Sequence, residues 1–468
     1  MEELSKLSAL ELGSLISRKE AKSIEVTRAL LKRIEELNPR LNAFCTIAHE
    51  SALEEARFAD EKMASGEGKG PLWGVPVSVK DLLETKGIRT TFGSPHFANH
   101  IPDRDAVVVE RLRAAGCPIL GKTNTPEFGC TFTTENPVFG PTLNPWNTRK
   151  SPGGSSGGAA AQVAAGMGPL AIGSDGGGSI RVPASCCGVF GLKPHFGRIP
   201  SWPRRDSWAA LSHLGPITRT VRDAAAFLNV AAGPDDRDRT SLPASSLDYL
   251  KSCDGNIKGL RVAWSPDLGY GKIDPEVRAL CEKAAKAFEG MGCFVEEAQP
   301  GLSSPENLFL HSIAPRVTAW MEKELPDILK ESKNPVFQFF RRSTDDLSAR
   351  DIVRNLFEIE ELWDRIYAFF QKYELLLTPT IAAPPYDSGS TGPKYVGGEK
   401  VSPLLPFFTF PFNLTGQPAA SVPAGFTQEG LPVGLQIIGR RFDEKTVLRA
   451  SACFEEVQPW RDRWPELD

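Results

Sequence analysis

The sequence predicts an α/β protein in which a sheet is covered by helices on both faces. Short apolar runs with strand spacing alternate with helical patterns over most of the 468 residues, an order typical of α/β sheets. The chain has no internal repeat, and no composition break outside residues 387–403 resembles a domain boundary. Length alone allows two or three domains, but we predict a single large domain over residues 1–468.

Helical patterns dominate the first part of the chain, so residues 1–70 are predicted to form an N-terminal helical segment. One apolar stripe of its main helix is formed by Val26, Leu30, Ile34 and Leu37. Ser23 stands where a residue capping this helix is expected, and Ser51 begins the pattern of a capping box for the next helix. Further along, Asp274 and Pro275 have the order of a cap and a first helical residue.

The apolar pattern changes to strand spacing after residue 70. Val75, Val77 and Val79 alternate in GVPVSVKD, a strand pattern that ends at Lys80 and Asp81. A short apolar strand, PLAIG, is predicted near residue 170. Further strands are predicted over residues 117–124, 260–265, 293–298, 374–380, 418–426 and 432–440.

Composition argues against several classes of function. The net charge of −4 gives no basic footprint for nucleic acid or for an anionic membrane. No run approaches the roughly 20 apolar residues that span a bilayer, and the acidic N-terminus is unlike a secretory signal. The nine cysteines contain no CxxC pair, which favours reduced thiols over a disulfide framework. We therefore expect a cytoplasmic protein with no nucleic-acid partner and no membrane partner.

Two glycine–serine loops dominate residues 151–181, SPGGSSGGAAAQVAAGMGPLAIGSDGGGSIR. The first loop, GGSSGG (153–158), runs into an Ala-rich helix, and the strand PLAIG then leads into the second loop, SDGGGS (174–179). A flexible linker would not alternate so regularly with good helix and strand formers. Because the loops flank one helix, we expect them to lie near each other in space.

These loops admit two chemical interpretations. Glycine loops at helix starts can bind phosphate, but neither loop has the Walker or dinucleotide-binding spacing, so phosphate binding is a minor alternative. A nucleophilic serine fits better, because it needs a base and donors for the oxyanion that its attack creates. The backbone amides of Gly176, Gly177, Gly178 and Ser179 are the predicted oxyanion hole.

Lys80 is the predicted base. The six histidines include none in a nucleophile-elbow context, although His195 and His213 lie near the loops in sequence. A lysine can act as a base where burial keeps it neutral, since desolvation lowers its pKa from about 10.4. A lysine at a strand end is more often a surface charge, so the residues alone leave both interpretations open.

Several segments together resemble the amidase signature family. They are GVPVSVKD (74–81), GKTNTPEFG (121–129), LNPWN (143–147), GGSSGG (153–158), DGGGSIRVPASCCGVFGLKP (175–194), HLGPITRTVRDAA (213–225) and FNLTGQPAASVPAGF (412–426). The resemblance implies a single α/β/α domain with a central mixed, twisted sheet and a catalytic core over residues 74–200. Gly176 departs from the family pattern, in which Thr or Ile is frequent at that position.

The resemblance also implies a catalytic triad and its mechanism. Ser179 matches the nucleophile, Ser155 the bridging serine in a cis peptide after Gly154, and Lys80 the base. Supporting positions match Ser156, Asp175 and Arg181. Ser179 would attack an amide carbonyl to give an acyl-enzyme, which water then cleaves. No metal and no organic cofactor are implied.

The substrate is less narrowly implied than the reaction. The family holds amidases, aryl acylamidases, urethanases and the A-type component of glutamyl-tRNA amidotransferase, which often has MDEFAMG where this chain has TPEFGCT. We therefore expect a stand-alone hydrolase of small amides, anilides or carbamates; the alternative is an A-type subunit that delivers ammonia to a partner. The pocket is predicted at Phe128, Gly129, Cys130 and Thr131. Aromatic candidates, at least half of them expected in the core, are Phe128, Phe132, Trp146, Trp202 and Trp208. We also expect residues 387–403 to form a mobile lid, and the protein to be a homodimer.

Overall fold

The fold is built on an eleven-stranded sheet, seen in a computed structural model that describes residues 2–203, 211–327, 334–402, 404 and 406–467. The described strands are β1 (Phe44–Ile47), β2 (Val77–Lys80), β3 (Ile119–Thr123), β4 (Glu135–Asn136), β5 (Gly140–Pro141), β6 (Leu170–Asp175), β7 (Phe190–Lys193), β8 (His213–Thr218), β9 (Arg261–Trp264), β10 (Phe294–Glu297), β11 (Leu375–Pro379), β12 (Tyr395–Val396), β13 (Glu399–Lys400), β14 (Ala419–Phe426) and β15 (Pro432–Gly439). The order in the large sheet is β1-β3-β2-β6-β8-β7-β14-β15-β11-β9-β10.

The sheet is mixed, which confirms the predicted fold class. Strand β2 pairs in parallel with both β3 and β6, whereas β6, β8, β7, β14, β15 and β11 follow one another antiparallel. The strands β2, β3, β7, β8, β11 and β15 are buried along their whole length. Such burial is expected where helices cover both faces of a sheet.

The α-helices fill the layers around the sheet. Those described are α1 (Glu2–Ser5), α2 (Ala9–Ser17), α3 (Ser23–Leu41), α4 (His49–Ala64), α5 (Val107–Ala114), α6 (Gly157–Ala164), α7 (Arg181–Cys187), α8 (Val221–Ala231), α9 (Tyr249–Ser252), α10 (Pro275–Gly290), α11 (Glu306–Glu324), α12 (Pro335–Asp345), α13 (Ala349–Phe370), α14 (Pro411–Leu414) and α15 (Glu444–Val457). None of these helices is both long and apolar enough to cross a lipid bilayer.

Most predicted elements are present, with local corrections. Strand β1 lies inside the segment that was predicted to be helical, where it pairs with β3. The cap of α3 is Lys22 rather than Ser23, whose hydroxyl instead donates to the carbonyl of Gly74 at 2.7 Å. The capping box predicted at Ser51 is also wrong, because α4 already begins at His49. The cap at Asp274 is confirmed, since its carboxylate accepts from the first amides of α10.

Candidate active site

The amine of Lys80 lies at the centre of a cluster of serine hydroxyls. Lys80 is the last residue of β2 and is fully buried. Its Nζ lies within hydrogen-bond distance of three hydroxyls: Oγ of Ser155 at 2.7 Å, Oγ of Ser156 at 2.9 Å and Oγ of Ser174 at 3.0 Å. The interpretation of Lys80 as a surface charge is therefore wrong. Because β2 and β6 are parallel neighbours, their carboxyl ends meet at one edge and bring Ser174 beside the lysine.

The two glycine–serine loops lie against each other, as the sequence predicts. The peptide between Gly154 and Ser155 is cis, and α6 begins directly after Ser156. The amide of Ser156 donates to the carbonyl oxygen of Ser179 at 3.1 Å. Ser179 is 7% exposed and lines a cavity. The three residues of the implied triad thus belong to one contiguous cluster.

Close packing requires two of the three consecutive glycines, Gly177 and Gly178, and the hydrogen bond of Gly178 revises the predicted oxyanion hole. Gly178 has φ +135°, and a Cβ there would overlap the hydroxyl of Thr409. The Gly178 amide donates to the Asp175 carboxylate at 2.7 Å, so it does not face the cavity. Among the described residues, no acceptor is bound by the amides of Gly176, Gly177 or Ser179. We therefore remove Gly178 from the oxyanion donors.

A buried ion pair holds the second loop in place. Arg181 donates to both carboxylate oxygens of Asp175 at 2.9 Å, and both side chains are fully buried. The Asp175 carboxylate also accepts from Asn413 at 2.8 Å. Burial acts to raise the pKa of Asp175, but the charge and hydrogen bonds of Arg181 outweigh it and hold that pKa well below its usual range. The supporting roles expected for Asp175 and Arg181 therefore amount to fixing the Gly176–Ser179 turn.

The cavity beside Ser179 has a volume of about 480 Å³ and largely apolar walls. Gly129, Cys130 and Thr131, three of the four residues predicted for the pocket, line it together with Phe132. A Cβ on Gly129 would lie 3.3 Å from Oγ of Ser155, so this position borders the bridging serine directly. The opposite wall comes from α11 and α12 through Phe309, Leu310, Ile313, Pro335, Val336, Phe339 and Phe340.

The remaining aromatic predictions divide between cavities and core. Phe128 lies not in the main cavity but in a smaller one of about 70 Å³, where its ring contacts Trp320. Trp146 packs on Phe426 and donates to the carbonyl of Cys187, away from both cavities. Trp202 is stacked under the guanidinium of Arg237 instead of lining either cavity. Trp208 lies outside the described residues.

A second buried lysine shows why burial alone does not identify the base. Lys122 on β3 donates to the hydroxyls of Thr85 at 3.0 Å and Thr90 at 2.9 Å. Burial lowers its pKa to about 8, but Lys122 borders neither the main cavity nor the serine loops. Only contact with the serine cluster distinguishes Lys80 from it.

Sequence reasoning missed two parts of the site. It assigned no role to Ser174, although this residue stands inside the glycine motif and its hydroxyl accepts from Lys80. It also missed the wall built by α11 and α12, which lies more than 120 residues beyond Ser179 in the chain. The only sequence signal for that wall is the phenylalanine-rich texture around residues 306–345.

A buried lysine that contacts a serine after a cis peptide, beside a glycine turn ending in a second serine, defines the amidase signature class of hydrolases. The family model described as Amidase matches residues 25–448, so the chain belongs to the amidase signature family. It is 40% identical to an acylamidase of Rhodococcus erythropolis, over 98% of this chain and 97% of that protein.

Two further similar proteins have functions that differ from each other. The A-type component of the glutamyl-tRNA(Gln) amidotransferase of Carboxydothermus hydrogenoformans is 39% identical over 99% of this chain and all of that protein. The crystal structure of a bacterial aryl acylamidase superposes with a TM-score of 0.91 at 34% identity, covering 97% of this chain and 96% of that one. The chain is therefore an enzyme that hydrolyses the carbon–nitrogen bond of amides.

Proposed function

We propose that this enzyme hydrolyses small, uncharged amides that carry an apolar or aromatic group, with anilides as the primary class and carbamates as a secondary one. The observation that carries the proposal is the cavity beside Ser179. Its walls are aromatic and aliphatic, and the rings of Phe132 and Phe309 each pack on further aromatic side chains. Apolar walls with few polar groups favour an apolar ligand. The likeness to an aryl acylamidase supports the same choice.

In the proposed acylation step, Ser179 is the nucleophile. Full burial disfavours the charged form of the Lys80 amine, so the proposal takes the amine as neutral before the reaction. Lys80 can then take a proton from Ser155, which takes one from Ser179. Oγ of Ser179 then forms a bond to the amide carbon, and the negative oxygen is held by backbone amides of Gly176, Gly177 and Ser179. The proton returns through Ser155 to the nitrogen, and the carbon–nitrogen bond breaks to release the amine.

Deacylation reverses the same proton path with water in place of the amine. Water gives a proton to Ser155, its oxygen attacks the ester carbon, and the acid leaves as Ser179 regains its proton. Ser156 and Ser174 position the lysine, because their hydroxyls lie 2.9 and 3.0 Å from its Nζ. Within the protein, the scheme passes each proton through Oγ of Ser179, Oγ of Ser155 and Nζ of Lys80, and the Lys80–Ser155 distance of 2.7 Å supports the last of these steps.

The second candidate function is an amidotransferase A-type subunit, favoured by the 39% identity to one such protein. A glutaminase must hold the charged carboxylate of glutamine. The described lining of the main cavity contains one carboxylate, Glu306, and neither lysine nor arginine. That electrostatic environment disfavours an anionic substrate, so the stand-alone amidase is our choice.

We propose that the described part of the predicted lid, residues 387–402, covers the cavity. Within them β12 and β13 form a short hairpin, and Thr391 and Ser402 line the cavity itself. The segment is held by ion pairs of Lys272 with Glu399 and of Lys150 with Asp387, and by a hydrogen bond from Ser402 to Glu306 at the start of α11. These exposed contacts are weak enough to break when substrate enters.

We further propose a cytoplasmic location and a homodimeric state. Support for the location is that all nine cysteines are unpaired and six of them are buried, which suits a reducing compartment. Support for the dimer comes from the exposed apolar residues on the outer face of α13, such as Leu356 and Phe357.

The test of the proposed function is a hydrolysis screen over anilides, aliphatic amides, carbamates and glutamine. Purified Ser179→Ala serves as the blank, because it removes one oxygen atom and leaves the cavity otherwise intact. We expect the highest kcat/KM with neutral anilides and no turnover in the blank. Glutamine as the preferred substrate would favour the amidotransferase function instead.

A further inference from the structure

The backbone carbonyl of Asp175 is held by two side chains to which the proposed mechanism assigns no role. Asp175 ends β6 and lies opposite His213, the first residue of β8. Nδ1 of His213 lies 3.2 Å from the Asp175 carbonyl oxygen, and Nδ2 of Asn413 donates to the same oxygen at 3.0 Å. Both side chains are buried. Two side chains from distant parts of the sequence therefore meet at one backbone oxygen.

The His213 ring is a hydrogen-bond donor at this position. Its Nδ1 also lies 2.6 Å from the carbonyl oxygen of Leu211, and a carbonyl oxygen can only accept. Nδ1 therefore carries a proton, which the two oxygens share. Burial lowers the pKa of His213 well below its ordinary 6.5, so the ring is neutral and Nε2 is unprotonated. Nε2 is buried and has no hydrogen-bond partner among the described residues.

The Asp175 carbonyl belongs to the same peptide unit as the Gly176 amide. This peptide is trans, so its carbonyl and its amide point in opposite directions. Holding the oxygen toward His213 and Asn413 therefore directs the Gly176 N–H away from them. Gly176 has no side chain to limit rotation of this unit, and the chain continues from it directly into the cavity lining at Gly177.

We infer that His213 is a positioning residue for the oxyanion, because it holds the Asp175–Gly176 peptide with the Gly176 amide directed at the negative oxygen. The inference rests on the proposed function, in which this amide is an oxyanion donor. Hydrogen bonds to the carbonyl also polarise the peptide and strengthen its amide as a donor. Asn413 shares this task, but its Oδ1 accepts from Arg181 at 2.6 Å, so its replacement would also disturb the buried ion pair.

The test removes the Nδ1 donor of His213 and then restores it. His213→Leu has no donor, whereas the side-chain amide of His213→Asn places an N–H near the position of Nδ1. Loss of a whole oxyanion donor costs about 10²- to 10³-fold in kcat. Here the donor is displaced and not lost, so His213→Leu should lower kcat for an anilide about tenfold with little change in KM. His213→Asn should return kcat to within about threefold of wild type.

Stability separates positioning from a merely structural role. His213→Asn buries a new amide oxygen, so its urea midpoint should fall at least as far as that of His213→Leu. Activity restored in the variant that is no more stable is the result expected for a positioning residue. A kcat that follows the urea midpoint across the two variants would overturn the inference.

A trifluoromethyl ketone that carries the substrate's aryl group gives a second readout. Oγ of Ser179 forms a bond to its carbonyl carbon, the Ser179 proton passes to Ser155, and the ketone oxygen becomes an oxyanion that needs the same amides. Its Ki should rise about tenfold in His213→Leu and return toward the wild-type value in His213→Asn.

The matched control is His195→Leu. His195 is also buried, its Nδ1 lies 2.8 Å from the carbonyl oxygen of Phe196, and its Nε2 likewise has no partner within the described ranges. Because that carbonyl is not part of the glycine turn, His195→Leu should leave kcat and Ki within about twofold of wild type. A loss of kcat as large as that in His213→Leu would overturn the inference.

Wild-type kcat and Ki in His213→Leu would also overturn it. If His213→Leu does not fold, His213→Gln takes its place, because its amide reaches toward the position of Nε2 and leaves Nδ1 unreplaced; the same tenfold losses are expected. Failure of the proposed function gives a different result. Wild type would then hydrolyse no anilide, and the ketone would bind Ser179→Ala as tightly as wild type.

Discussion

Gly177→Ala is the change whose consequence follows most directly from the packing of the site. A Cβ on Gly177 would lie 2.7 Å from Cζ and 3.2 Å from Cε2 of Phe309. Ordinary carbon contacts begin near 3.5 Å, so the ring or the turn must move by most of an ångström. The ring is poorly free to move, because it stacks on Phe410 with centroids 4.4 Å apart and planes within 6°.

We therefore expect the turn to move, and the turn carries the proposed oxyanion amides. Overpacking of this kind costs about 1–3 kcal/mol, and loss of one oxyanion donor typically costs about 10²- to 10³-fold in kcat. Gly177→Ala should thus lower kcat about 100-fold, with a smaller change in KM. The assay is steady-state hydrolysis of an anilide substrate, with folding monitored by urea unfolding.

The rescue separates steric displacement from other causes. Phe309→Leu removes the ring atoms that the new Cβ would meet, so Gly177→Ala with Phe309→Leu should recover at least tenfold of the lost kcat. Gly178→Ala is the matched control, because its cost comes from φ +135° and from overlap with Thr409; Phe309→Leu should not rescue it. Wild-type kcat in Gly177→Ala would refute the placement of this turn at the reaction centre.

Three further predictions concern the proposed base Lys80, the ion pair between Asp175 and Arg181, and the pH dependence of stability. Lys80→Met should lower kcat/KM by about 10³-fold or more without lowering the free energy of unfolding at pH 7. Adding Ser155→Ala should lower kcat/KM little further, because the two residues act as one relay. Additive losses of kcat/KM in the double variant would argue against the relay. Asp175→Asn should lower the free energy of unfolding by about 3–5 kcal/mol, because it leaves the buried Arg181 charge without its carboxylate; urea midpoints measure this, and a loss below 1 kcal/mol would contradict it. Burial raises the pKa of Glu455 to about 7, from an ordinary 4.5, so ionisation of Glu455 lowers the stability of wild type as pH rises from about 4.5 to 7. Glu455→Gln should be more stable than wild type by up to about 3 kcal/mol at pH 8 and equal to it near pH 4. A stability difference that does not change with pH would contradict the assignment.

The proximity of the three proposed triad residues could be predicted because each of them stands in a contiguous, recognisable motif. Lys80 ends a run of alternating valines, and Ser155 and Ser179 stand in glycine loops on either side of one helix. The part of Ser174 could not be predicted in this way. Its hydroxyl reaches Lys80 only because β2 and β6 are parallel neighbours, and strand order is not visible in either strand alone.

The errors in the prediction have similar physical origins. The direction of the Gly178 amide depends on how the Asp175 carboxylate folds back over its own turn, which the motif does not specify. Strand β8, HLGPIT, contains Gly215 and Pro216, so it shows neither alternation nor high strand propensity, and pairing with β6 and β7 overrides both. The cavity wall formed by α11 comes from long-range packing alone.

The most direct test of the proposed mechanism is to trap the acyl group on its residue. An activated aryl ester or anilide is mixed with the enzyme, quenched in acid within milliseconds, and the digested protein is mapped by mass spectrometry. The proposal predicts one acyl adduct, on the peptide that contains Ser179, absent from Ser179→Ala and retained in Cys130→Ala, which alters a thiol lining the same cavity. An adduct on Cys130, or wild-type turnover by Ser179→Ala, would contradict the assignment of Ser179 as the nucleophile.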